Sequence, residues 1–86
     1  MTKGKTSTGF EFELDADVIM DMEFIELAAE ASENGTKYPA MVEYALGKEQ
    51  KKRLYDHVRN ERGRVMFDDV RREFDEIFNI ANEKNS

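Results

Sequence analysis

The sequence contains no cysteine and no tryptophan, and only one proline and five glycines. Without cysteine there is no disulfide framework, no thiolate metal cluster and no thiol nucleophile. Apolar runs stop at two or three residues, so nothing in the chain is long enough to span a membrane. No apolar stretch of a secretion signal follows Met1. The expectation is a soluble intracellular protein, in which Asn34-Gly35-Thr36 is a turn rather than a glycosylation site. Basic residues are also missing from one long stretch: nine carboxylates and no Lys or Arg occupy Glu11 to Glu33.

What is present is charge. The 86 residues carry 19 acidic and 13 basic side chains, a net charge of −6, and 37% of them are charged. That length makes one domain, and a domain of this size buries only about 60–65% of its unfolded surface, so it gains from a partner. The charge is uneven. Lys48 to Arg64 holds seven basic residues against three acids, including the patch Lys48, Lys51, Lys52 and Arg53. Two readings follow: solvated helix faces, or complementary patches that pair between copies or with a partner. Nucleic acid is not an expected partner, because the whole chain is acidic and its basic stretch lacks interleaved aromatic residues.

Residues 1–7 are small and polar and read as a mobile tail. Phe10, Phe12 and Leu14 then alternate with Glu11 and Glu13, the period of a strand with one apolar face. Such a strand needs a neighbouring copy, a partner, or residues Thr6 to Gly9 folded back as a hairpin. A helix is expected from Val18 to Glu33, capped by Asp15 or Asp17 and stopped at Asn34-Gly35. Its apolar arc covers roughly 220°, where a helix lying on a core needs little over 100°. Val18, Met22, Ile25 and Ala29 form one part of that arc, and Met20, Phe24, Leu27, Ala28 and Ala31 the other. The helix is therefore either central or half covered by another protein.

Tyr38-Pro39 opens a short helix that Gly47 ends, and Lys48 to Arg62 forms a charged helix that Gly63 ends. Phe67, Val70, Phe74, Ile77, Phe78 and Ala81 make the cleanest amphipathic stripe, on the last helix. The fold class expected is mainly α, about four helices in a small bundle with a short N-terminal strand or hairpin. One domain spans residues 8–81, and residues 82–86 form a polar tail.

Chemistry is sparse. His57 is the only histidine, which leaves a zinc site to be completed by carboxylates alone and points to a structural or surface role. Glu23, Glu26, Glu30 and Glu33 lack the Glu-x-x-His pairs of a di-metal bundle site. Asp15-Ala16-Asp17 begins like a calcium loop, but Met20 stands where its glycine belongs. The five glycines are isolated, so no loop cradles a phosphate. Neither an enzyme nor a cofactor is expected. The five methionines fill core gaps or make adaptable binding surface.

The order of features resembles a known family. A polar start, Gly9-Phe10-Glu11-Phe12-Glu13-Leu14, and an acidic apolar helix come first. Leu46-Gly47-Lys48-Glu49-Gln50, Lys52-Arg53-Leu54, His57-Val58-Arg59, Gly63-Arg64-Val65 and a helix ending Glu76-Ile77-Phe78 follow. Together, from about Thr8 to Phe78, this is similar to the small tail assembly chaperones of long-tailed bacteriophages of Gram-positive hosts. The resemblance implies a protein of the host cytoplasm that binds the tape measure protein, helps recruit the major tail protein, and is absent from the finished virion; self-association is expected instead from the strand of Phe10, Phe12 and Leu14 adding to the edge of a neighbouring copy. The resemblance also implies a longer product made by programmed frameshifting, and Glu83-Lys84-Asn85 fits translation of a slippery codon run.

On that basis the protein-binding residues expected are Met20, Phe24, Leu27 and Ala31 on the over-wide arc, with Phe10 and Phe12 on the strand. Rival readings are an acidic regulatory or inhibitor protein and a structural head–tail connector component.

Overall fold

Two β-strands and three α-helices make up the computed structural model, which describes residues 1–85 and the side chains of residues 1–84. Strands β1 (Thr2–Lys5) and β2 (Glu11–Leu14) pair antiparallel, with Thr2 opposite Leu14 and Gly4 opposite Phe12. The residues expected to form a mobile tail thus supply the first strand, because a lone β2 would leave its backbone groups unpaired. The connection is tight. Thr6 N–H donates to Phe10 O (2.9 Å), Gly9 N–H donates to Thr6 O (2.9 Å), and Gly9 takes φ 96°. Glycine suits that positive φ at the end of a three-residue hairpin loop. Phe12 and Leu14 point inward and Glu11 and Glu13 outward, as their alternation predicts.

Gly4 is required for a different reason. A Cβ there would lie 2.6 Å from Phe12 Cζ and 3.0 Å from Ile80 Cγ2, so the Phe12 ring fits across β1 only where β1 has no side chain.

The acidic apolar segment does not form one helix from Val18. Asp15 accepts from Asp17 N–H (3.1 Å) and starts a 3-10 helix, Ala16–Met20. Asp21, with extended backbone, then accepts from Glu23 N–H (2.8 Å) and caps α1 (Met22–Glu33). Two Asp residues each compete for nearby backbone donors, and the second wins the cap. Asn34 ends α1, and its side-chain oxygen accepts from both Thr36 N–H and Thr36 Oγ1.

Helix α2 (Tyr38–Val58) has Pro39 in its first turn and breaks at Gly47, where φ 84° and ψ 162° are not helical. The two helices expected on either side of Gly47 therefore run as one kinked element, giving three helices rather than four. Gln50 bridges the break: its Nε2 donates to Leu46 O (2.9 Å) and to Glu13 O (2.7 Å), while its Oε1 accepts from Glu13 N–H (2.7 Å). Helix α2 stops at Val58, short of the expected Arg62, because the Asn60 side chain accepts from Arg62 and Arg64 N–H and bends the chain away. Helix α3 (Phe67–Asn85) continues past Asn82, where a polar tail was expected.

The core joins all of these elements. Phe10, Phe12 and Leu14 from the hairpin, Val42, Leu46 and Leu54 from α2, and Val70, Phe74, Ile77 and Ala81 from α3 are buried together. The hairpin lies between α2 and α3, and α1 packs along α2. No helix among the described residues is long and apolar enough to cross a membrane.

Candidate protein-binding face

Of the six residues expected to bind a protein, four are interior. Phe10 and Phe12 are core, Ala31 is buried, and Phe24 is only 8% exposed. Phe24 stacks on Phe78 (ring centroids 5.3 Å), which meets Phe74 edge-on at 4.7 Å. Leu27 is half-buried against the same core. Met20 alone stands out, 78% exposed. The strand formed around Phe12 is not free to pair either. The outer edge of β2 is taken by Gln50 at Glu13 and by Arg53 Nη1, which donates to Glu11 O (3.3 Å). On the outer edge of β1, Lys84 Nζ donates to Lys3 O.

In the other half of the arc Val18 is partly buried against the core, and the remaining residues are exposed. Met22 is 66% and Ile25 41% exposed, and Ala29 continues the stripe at helical spacing. So α1 uses Phe24, Ala28 and Ala31 against the core and leaves Met22, Ile25 and Ala29 on the surface. Beyond that stripe come Glu23, Glu26, Glu30 and Glu33, none of which has an ion-pair partner among the described residues.

The basic patch divides in two. Lys51 pairs with Glu43 (2.8 Å) and sits over the Tyr55 ring (5.8 Å). Arg53 lies over the Phe10 ring, 5.4 Å from its centroid, besides holding Glu11. These two fasten the fold, while Lys48 and Lys52 face solvent.

A second set of polar residues was not singled out by its sequence pattern. Glu73 is 2% exposed, yet both carboxylate oxygens are satisfied: Thr6 Oγ1 donates to Oε1 (2.8 Å) and Thr8 Oγ1 to Oε2 (2.9 Å). Thr8 Oγ1 also lies 2.9 Å from His57 Nε2. With its proton committed to Glu73, the hydroxyl accepts from the imidazole, which assigns the ring proton to Nε2. Ser7 donates to Glu76 from both its N–H and its hydroxyl. The hairpin loop is thereby fastened to α3, and His57 closes the junction against Phe10 (5.4 Å).

Comparison with known proteins yields nothing. No protein-family model, curated protein or solved structure matches the chain. The site must be read from its own geometry. No group of three or more His, Asp or Glu among the described residues is placed to hold a metal ion. An aromatic-lined concavity of about 540 Å³ lies where α1, the start of α2 and α3 meet, lined by Phe24, Ala28, Tyr38, Met41, Phe67, Phe74 and Phe78 and flanked by Arg71 and Asp75.

One end of α1 is clamped by a short bond. Tyr44 Oη donates to Asp21 Oδ2 at 2.6 Å, which lowers the Asp21 carboxyl from its ordinary value and pushes the Tyr44 phenol up to about 12. Burial also pushes Tyr38 up to about 12. The stability carried by Tyr44 is complete below its unfolded pKa of about 10 and lost as pH rises through about 12. That carried by Asp21 is complete above the ordinary carboxylate range and lost as pH falls through its lowered value. An absorbance titration of the phenols should therefore show Tyr38 and Tyr44 ionising late, and Tyr44→Phe should remove one of the two late phenols. An unchanged late amplitude in the variant would show that the clamp does not exist in solution.

Proposed function

We propose that the chain is a tail assembly chaperone of a long-tailed bacteriophage, acting in the host cytoplasm. It binds the tape measure protein and keeps that protein's apolar helical faces covered. It helps bring the major tail protein to the growing tube, and then leaves. The sequence resemblance supports this reading, and one structural observation carries it: Met20, Met22 and Ile25 stand exposed on and beside α1 although the core beneath is already closed. Exposed methionines suit a contact that must adapt to a repetitive partner and later be released.

The test is co-expression with the tape measure protein of the same genome. The wild-type chain should keep that partner soluble and co-purify with it. The triple variant Met20→Ser, Met22→Ser, Ile25→Ser should fold normally and bind at least about ten-fold more weakly, because exposed apolar anchors dominate such contacts. Equal binding by the triple variant defeats the proposal. So does the chain's presence as a stoichiometric component of purified virions, which favours the connector reading.

A further inference from the structure

The exposed stripe of α1 has the spacing of a helix-pairing seam. Met22, Ile25, Ala29 and Ser32 follow one another at intervals of three, four and three residues, the a and d positions of a heptad. All four are exposed, so the domain itself puts nothing against them. In the same register Phe24 and Ala31 fall at c and are buried against the core, so seam and core use different sides of one helix.

Charge lies directly beside this seam. Glu26 and Glu33 occupy e, seven residues apart, the position that faces the flank of a partner in paired helices. Both are exposed, and neither has an ion-pair partner among the described residues. Glu23 and Glu30 occupy b, on the side turned away from the seam. The g positions on the other flank are Asp21, whose carboxylate already accepts from Tyr44 Oη at 2.6 Å, and Ala28, which is partly buried. The open flank of the seam therefore carries negative charge alone.

We infer that this seam pairs with a basic amphipathic helix of another protein, whose apolar a and d residues pack on Met22, Ile25 and Ala29 while its Lys or Arg residues meet Glu26 and Glu33. A second copy of this chain does not supply that helix. Paired with itself, α1 would set Glu26 against Asp21 in a parallel arrangement, or the glutamates against each other in an antiparallel one. The basic stretch of α2 has turned Leu54, Tyr55 and Val58 to its own core, and α3 exposes only Phe67 among the large apolar side chains of its described residues. Neither presents an apolar seam. The partner's identity rests on the chaperone reading; the composition of its bound segment, apolar at heptad spacing with cations alongside, does not.

The test uses the full chain and a labelled model helix of about 21 residues, with Leu at a and d, Lys at e and g and Gln elsewhere. Like charges at e and g keep such a peptide from pairing with itself. A second peptide carries Glu in place of Lys. Fluorescence polarisation should show at least about ten-fold tighter binding of the Leu/Lys peptide. Glu26→Lys with Glu33→Lys should weaken that peptide about ten-fold, as two exposed attractions become repulsions, and should strengthen the Leu/Glu peptide. Glu23→Lys with Glu30→Lys makes the same change in net charge away from the seam, and should move either affinity by no more than about three-fold. Met22→Ser with Ile25→Ser should weaken the Leu/Lys peptide at least about ten-fold while the circular dichroism stays that of the wild type, since neither residue belongs to the core.

Equal affinity for the two peptides overturns the inference. So does a Glu23/Glu30 variant as weak as the Glu26/Glu33 variant, which would show a diffuse acidic field in place of a seam. A wild-type chain that sediments as a dimer, and becomes a monomer in the Met22/Ile25 variant, overturns it in favour of a second copy. The chaperone reading fails separately. If peptide preference reverses in the Glu26/Glu33 variant but the wild-type chain does not capture the tape measure protein, the seam stands and the partner is another protein. If the wild type and the Glu26/Glu33 variant capture the tape measure protein equally, the seam assignment fails and the chaperone reading stands.

Discussion

Phe24→Asp is expected to unfold the domain rather than to yield a folded protein that no longer binds. The ring is 8% exposed and lies between Phe78 at 5.3 Å and Tyr44 at 6.4 Å. Deleting a buried phenylalanine side chain costs about 3–5 kcal/mol, before the added carboxylate is counted. That carboxylate would replace a ring packed among Phe78 and Tyr44, where burying a charge adds further cost. Against the roughly 4–13 kcal/mol expected for a chain of this length, the substitution removes most of the margin. Circular dichroism should show loss of the cooperative thermal transition. Met22→Asp, three residues from Ile25 on the exposed stripe, is the informative contrast: its melting temperature should remain near that of the wild type. A wild-type transition in Phe24→Asp would mean that the ring is not part of the core.

The second large effect is expected at Glu73. Truncation to Ala leaves the hydroxyls of Thr6 and Thr8 without their acceptor at a site where the carboxylate is 2% exposed. Hydrogen bonds to a charged group contribute about 1.5–3 kcal/mol each, and two are lost together with the packing of the side chain. Loss of about 3 kcal/mol is the expected result, read as a lower urea midpoint with little change in slope. Glu73→Gln keeps one oxygen acceptor and should cost about half as much. Amide exchange should quicken first at Phe10, whose N–H donates to Thr6 Oγ1 at 3.1 Å, since Thr6 is the residue that Glu73 holds. A midpoint unchanged in Glu73→Ala would mean that water satisfies the loop as well as the carboxylate does.

Much of the architecture was legible as hydrophobic period and chain punctuation. The stripe of α3 is the clearest case: Val70, Phe74, Ile77 and Ala81 are buried and Phe78 partly so, while Phe67 at its start is 49% exposed. The alternation of Phe12 and Leu14 with glutamates gave the inward face of β2. Gly47 marked a real interruption, although the chain resumes its helix directly afterwards. The orientation of α1 was not legible. Both halves of its arc are apolar, and the choice between them depends on Phe78, a residue 54 positions further along, meeting Phe24. Period identifies an apolar face but not which of two adjoining faces finds the better partner.

The polar fasteners were hidden for a related reason. Gln50 and Glu73 are ordinary residues in charged helices, and only tertiary placement turns one into a bridge to Glu13 and the other into the acceptor for Thr6 and Thr8. A signal did exist for Glu73. It follows Val70 by three residues and precedes Phe74 and Ile77, so it sits on the apolar side of the α3 stripe, where a carboxylate needs partners. The breaks at Asp21 and Asn60 were missed because each depends on one side chain capturing local backbone donors.

The contacts that hold the hairpin have a consequence for the order in which the chain is made. Thr6 meets Glu73, and Lys3 meets Lys84, across 67 and 81 residues of sequence. The hairpin therefore receives part of its cover from a helix that is synthesised after it. Until α3 emerges the hairpin has only α2 to pack on, and local pairing of a two-stranded ribbon adds little to hold it. Closure of the domain thus waits for α3, with the slow search that long-range contacts impose. During that interval the nascent chain displays more apolar surface than the finished protein does, and the nine carboxylates of Glu11 to Glu33 are the nearest charges available to keep it apart from its neighbours.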